Sequence, residues 1–158
     1  MLARIAISTF CTVLLFGAVG APVRAQSYPQ ERRYSKSQIN QIIRYVENYS
    51  DVFRDYVDHK LDHSWLDGSK REDKLNDLCR DMENALDKLR RNFDANNSWW
   101  ERRADVEDGL QEARYVQDLL NRRHFPSQIY ANWRPLKYQL NVLADRYELR
   151  RIGQSRYR

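Results

Sequence analysis

The chain predicts an all-α fold: an up-down-up-down antiparallel four-helix bundle behind an N-terminal signal peptide. Three observations carry this. Apolar residues recur at helical spacing in four successive stretches and never alternate over strand length. Three Ser-x-x-Gln or Ser-x-x-Glu patterns stand where helices should start. Glycine is scarce, with only Gly68, Gly109 and Gly153 beyond residue 25, and the breaks between stretches are short. Short loops force antiparallel neighbours, and a bundle buries all four apolar stripes at once.

Residues 1–25 read as an export signal. Arg4 gives a basic start, Ile5 to Val19 is a largely apolar run, and Val23-Arg24-Ala25 offers small residues at the −3 and −1 positions of a cleavage site. Cys11 lies mid-run after Ser8-Thr9-Phe10 and lacks the flanks of a lipidation site. Cleavage would leave 133 of the 158 residues, enough for one domain. No later stretch approaches the roughly 18–20 uncharged residues of a membrane span. Residues 26–34 are polar, contain Pro29 and show no period, so they read as a flexible lead-in.

Helix one is expected from Ser35. Ser35-x-x-Gln38 makes a capping box, and Tyr34 with Ile39 has the spacing of a hydrophobic staple. Ile39, Ile42, Ile43, Val46, Tyr49, Phe53, Tyr56, Val57 and Leu61 then share one stripe, to about His63. The Asp67-Gly68 turn precedes a second box, Ser69-x-x-Glu72, and a seam of Leu75, Leu78, Met82, Leu86, Leu89 and Phe93. Asn96-Asn97 ends it, and Ser98-x-x-Glu101 makes a third box for helix three. That helix is seamed by Val106, Leu110, Ala113, Val116 or Gln117, and Leu120. Gly109 inside it costs about 1 kcal/mol against Ala. After His124-Phe125-Pro126, helix four carries Ile129, Trp133, Leu136, Leu140, Leu143 and Tyr147 at heptad spacing. Pro135 inside it implies either a late start near Asn132 or, as we expect, a start at Ser127 with a kink. The bundle thus spans 35–149, and 150–158 form a basic tail beyond it.

The formal charge is +5, and loss of Arg4 and Arg24 with the signal would make it +3, from a mixed and heavily charged surface. That surface does not point to nucleic acid. Only Cys79 survives cleavage, so no internal disulfide is expected and the thiol should be buried.

Helix one carries the sharpest chemical constellation. Asp51, Asp55, His59 and Asp62 lie within about 80° of one another, away from the apolar stripe. His59 and His63 stand at i, i+4, a spacing that chelates transition metals, with Asp55 or Asp62 as a third ligand. The same pattern also suits a solvated helix face. A His pair on one helix lacks the fourth ligand and the orienting hydrogen bonds of a tight site. A second candidate is a polyanion-binding patch. Arg32 and Arg33 precede helix one, while Arg150, Arg151, Arg156 and Arg158 follow helix four, at one end of the bundle. Trp65 belongs to the opposite end from Trp99 and Trp100, so each is expected to plug its own end of the core.

Enzymatic signatures are absent: there is no Gly-rich phosphate loop, no His-Glu-x-x-His and no Gly-x-Ser-x-Gly elbow. A di-metal bundle would need Glu and Glu-x-x-His facing inward, and no apolar stripe carries them. No cofactor is expected.

The stretches Phe53-Arg54-Asp55 through Leu66 to Asp73, Ala85 to Arg90, and Trp133 to Tyr147 resemble a recurrent pattern in small secreted all-helical proteins of soil bacteria. That resemblance implies an exported helical architecture and supplies no catalytic residue. The Leu-Thr-x-x-Gln signature of small periplasmic stress chaperones is missing. We therefore expect a bacterial periplasmic or secreted monomer, without enzyme activity, that binds a protein or polymer of the cell envelope. The alternatives are a low-affinity divalent metal binder and a chaperone-like protein that opens an apolar groove at a loosely packed helix three.

Overall fold

Four amphipathic helices account for the architecture of the computed structural model: α1 (Lys36–Asp62), α2 (Lys70–Asp94), α3 (Arg103–Arg122) and α4 (Ser127–Arg146). The structure describes residues 29–95 and 98–154. The expected signal peptide, Cys11, Arg156 and Arg158 lie outside the described residues. α1 packs against α2 and α4, α2 against α3, and α3 closes on α4. This is the all-α bundle of four helices that the periodicity predicts. At 1.5 Å per residue α1 runs for about 40 Å and α4 for about 30 Å. Among the described residues, no helix is long and apolar enough to cross a membrane.

The four stripes meet as expected. Phe53 and Leu86 are each 1% exposed and Leu140 is fully buried. Cys79 is buried and free, and its burial pushes the thiol up to about 12, so it packs as a small apolar side chain. Gly109 corrects the expectation of a loose helix three. A Cβ there would lie 2.9 Å from Leu86 Cδ2, so the missing side chain is what lets α3 close on α2. The helix propensity lost at Gly109 is offset by close packing.

The capping expectations divide. Around Ser35 the box is complete: Gln38 N–H donates to Ser35 Oγ at 3.2 Å, and Ser35 N–H donates to Gln38 Oε1 at 2.9 Å. The second box is half formed. Glu72 N–H donates to Ser69 Oγ at 3.2 Å, but Ser69 N–H is already taken by the Leu66 carbonyl at 2.9 Å. The Glu72 carboxylate reaches one residue further back, to Gly68 N–H at 2.6 Å. The third box does not form. Ser98 donates instead to Glu31, and a 3₁₀ turn, Trp100–Arg102, leads into α3, which has no side-chain cap. Burial of Trp99 (3% exposed) sets this entry: its Nε1 donates to the Tyr34 carbonyl at 3.2 Å, drawing the chain into the bundle end.

α4 starts at Ser127 with Pro135 inside it. Pro135 is on the exposed face, where the carbonyl it leaves without an intrahelical partner can meet water. The helix ends at Arg146, before the predicted boundary. Glu148 takes the left-handed conformation (φ 52°), and Leu149 N–H donates to the Ala144 carbonyl at 2.8 Å.

The described residues on either side of the four helices hold more structure than the sequence suggests. Pro29–Arg32 form a 3₁₀ turn, Gln30 is buried and donates to Glu148, and the Arg146 guanidinium lies 4.2 Å from the Tyr34 ring centroid. At the other end Ile152 is buried, and its N–H donates to Asn141 Oδ1 at 2.7 Å. The first part of the basic tail thus folds back onto α4.

Candidate functional site

The outer face of α1 brings together only part of the expected metal group. His59 and His63 stand side by side with ring centroids 4.5 Å apart, but His63 Nδ1 lies 2.8 Å from the His59 carbonyl of its own helix. Asp55 pairs with Arg54 at 3.4 Å. Asp62 joins Asp67 and Glu72. Each of these three offers a carboxylate oxygen, all within 4.8 Å of one another, and this is the one such donor group among the described residues. The helical phase explains the split. Asp62 sits about 100° around the helix from His63, on the side facing the α1–α2 loop.

Sequence reasoning missed Asp67 and Glu72 as partners of Asp62. The available signal was an acid at the end of one helix, one in the loop and one in the next helix's first turn. A tight seven-residue connection must bring those positions together.

The loop is built to hold that geometry. Ser64 Oγ donates to the Leu61 carbonyl at 2.9 Å and accepts from Leu66 N–H at 3.1 Å. Leu66, 1% exposed, plugs this end of the core, and Gly68 (φ 68°) supplies the left-handed residue that starts the return. Leu66 therefore takes the role expected of Trp65. Trp65 is 69% exposed, with the Arg71 guanidinium 5.3 Å from its ring centroid. The opposite end matches expectation: Trp99 is buried, and Trp100 stacks on Tyr147 with ring centroids 5.9 Å apart.

Of the arginines expected to form a polyanion patch, the side chains of Arg33, Arg150 and Arg151 fall among those described. Arg151 makes a two-pronged contact to Asp145 at 2.6 and 2.7 Å, and the Arg150 carbonyl accepts from the buried Arg114 guanidinium at 2.6 Å. Arg33 is exposed, with Glu31 nearby in sequence; the Arg32 backbone closes the 3₁₀ turn. Of Arg33, Arg150 and Arg151, Arg151 is the one shown paired with an acid. The groove between α2 and α3, about 510 Å³, is mixed: Leu78, Leu119 and Tyr115 share it with Lys74, Asp81, Glu112 and Arg122. It is not the apolar channel that a chaperone would need.

A second apolar seam emerges on α1. Ile42, Tyr45, Tyr49, Val52 and Tyr56 follow one another at 3-4-3-4 spacing, the repeat of a helix–helix contact. Ile42, Tyr49 and Tyr56 are half-buried against the core edge, whereas Tyr45 is 40% and Val52 59% exposed. Tyr45 and Tyr49 stack with centroids 5.4 Å apart and planes 8° from parallel. The exposed Asp55 borders the outer edge of the seam, three residues beyond Val52.

Four carboxyls are held above their ordinary range, first by burial and then by neighbouring acids. Asp51 and Asp87 act on Glu47, Asp87 on Asp51, Asp67 and Asp62 on Glu72, and Asp81 and Asp108 on Glu112. The folded chain therefore binds these protons at a higher pH than the unfolded chain does. Stability should rise as pH falls through the folded values, and the gain should stop near pH 4, where unfolded carboxyls also protonate. Urea melts are expected to give a higher midpoint at pH 5 than at pH 8. A midpoint that falls steadily from pH 8 to pH 5 would contradict this assignment.

No protein-family model matches the chain, and no curated protein or solved structure matches it.

Proposed function

We propose that this is an exported, non-enzymatic bundle that binds a protein of the cell envelope by accepting a partner helix on the second seam of α1. Export rests on the n-region, apolar run and cleavage pattern of residues 1–25. The observation that carries the binding role is the exposure of Tyr45 and Val52 on one face of α1. Apolar side chains at coiled-coil spacing lie open beside a completed core. Tyrosine suits such a surface, giving a large contact at small cost in side-chain entropy. The bordering Asp55 favours a partner whose apolar stripe is flanked by Lys or Arg. A polymer would offer no knobs for this spacing.

A photo-cross-linking residue at position 52 tests the reading in cells that produce the protein. One discrete protease-sensitive adduct is expected, lost on Tyr45→Lys and absent when the cross-linker replaces the exposed Arg134 on α4. The same adduct from both positions, or none from position 52, rejects the seam as the binding surface.

A further inference from the structure

We infer that Asp62, Asp67 and Glu72 form a calcium site that ties the end of α1 to the start of α2. Three carboxylate oxygens within 4.8 Å of one another repel unless something positive lies between them. No Lys or Arg does so: none of the ion pairs among the described residues involves these three acids, and nearby Arg71 lies over Trp65 instead.

A second observation concerns Glu72 alone. Its residue is only 5% exposed, and while Oε2 accepts from Gly68 N–H, Oε1 is buried and receives no hydrogen bond. A buried carboxylate oxygen without a donor costs a large fraction of its hydration, and natural structures seldom leave one so. An Asp62 carboxylate oxygen lies within 4.8 Å of the Glu72 carboxylate, so the carboxylate that holds the vacant oxygen has another acceptor beside it. Either a cation or a proton resolves that contact.

The donor set selects the cation. All three ligands are carboxylate oxygens, with neither imidazole nor thiolate, which suits a hard ion over zinc or copper. Calcium binds oxygen at about 2.3–2.6 Å, so two of its ligands can stand up to about 5 Å apart. Magnesium needs about 2.0–2.1 Å and near-octahedral placement, a tighter fit than these separations offer. Asp62 and Asp67 are exposed, leaving the outer side of the ion to water. Three protein ligands with water completing the shell place the affinity near the weak end for calcium, about 10⁻⁴–10⁻³ M. The hydrogen-bonded Ser64–Ser69 loop keeps the three carboxylates in place.

Titration calorimetry and thermal melts of the purified chain test the site with calcium chloride as the probe. At 10 mM calcium the melting temperature should rise by about 3–6 °C over sodium chloride of equal ionic strength, and magnesium should raise it less. Asp67→Asn, an exposed change that leaves the cap intact, should weaken binding at least tenfold. Glu72→Gln, which keeps an acceptor for Gly68 N–H, should do the same. No shift in the wild-type chain, or a shift that survives Asp67→Asn, overturns the inference. So does a rise on acidification with no response to calcium, which would assign the cluster a shared proton. None of these substitutions touches Tyr45 or Val52, so this site and the α1 seam stand or fall separately.

Discussion

Replacing Tyr147 by Ala is expected to destabilise the protein by about 3–5 kcal/mol, the range for deleting a large buried aromatic side chain. Tyr147 is fully buried just past the end of α4, where it gathers three segments. Its ring meets Trp99 edge-on at 5.0 Å and stacks on Trp100 at 5.9 Å, and its hydroxyl donates to the Trp99 carbonyl at 2.9 Å. Its own carbonyl accepts from Arg103 Nε at 3.0 Å, which ties the same residue to the first turn of α3. Burial holds the phenol well above its ordinary range, so it remains a neutral donor at any working pH. Tyr147→Phe keeps the rings and removes only the hydroxyl, while the Trp99 carbonyl keeps the Arg102 N–H at 3.2 Å, so the change should cost about 0.5–1.5 kcal/mol. Urea denaturation of both variants separates packing from hydrogen bonding. Equal losses for Phe and Ala would mean that the rings contribute little, contrary to their contacts.

The Tyr147 cluster also shows what a sequence can and cannot reveal. The seams of all four helices were legible because each apolar stripe has a period fixed by helix geometry, and that period survives without knowledge of the partner. Tyr147 itself was legible as the last position of a heptad row. Its partners were not, since Trp99 and Trp100 reach it across 48 and 47 residues of chain and through a 3₁₀ entry that no local pattern marks. Capping shows the same limit. Ser35-x-x-Gln38 forms as written, because nothing else competes for its groups. In Ser69-x-x-Glu72 a loop carbonyl takes the N–H that the glutamate would have bound, and in Ser98-x-x-Glu101 the serine is drawn to Glu31, 67 residues away. The expected metal group on α1 shows a related limit. His59, His63, Asp55 and Asp62 were grouped from one helix's phase, but Asp62 is the helix's last residue, where the chain turns and loop neighbours outrank residues one turn back. The second α1 seam is hard to read from sequence for a different reason: Tyr49 and Tyr56 also fit the core stripe, and no local pattern marks Tyr45 and Val52 beside them as exposed.

Phe53→Ala should be as costly as loss of the Tyr147 side chain, about 3–5 kcal/mol, but through the middle of the bundle rather than its end. Phe53 is 1% exposed near the midpoint of α1, and its ring packs on Trp133 of α4 with centroids 5.4 Å apart at 44°. Trp133 is held from the other side by Gln117 of α3, whose Oε1 accepts from the indole N–H at 2.9 Å, and Gln117 in turn donates to Asn121 at 2.8 Å. Truncation at position 53 therefore opens a cavity beside a tryptophan already fixed by a hydrogen bond. If Trp133 shifts to fill the space, that buried bond is strained; if it stays, the cavity remains, and either outcome is destabilising. Phe53→Leu keeps most of the volume and should cost about 1 kcal/mol. The neighbouring Val52, 59% exposed, provides the contrast, since Val52→Ala should fall within about 0.5 kcal/mol of the wild-type chain in the same melts. That pairing ties stability to function. Adjacent residues on one helix would divide the work, Phe53 holding the bundle closed while Val52 stays free for a partner. A large loss at position 52, or a negligible one at position 53, would place the core on the wrong side of α1.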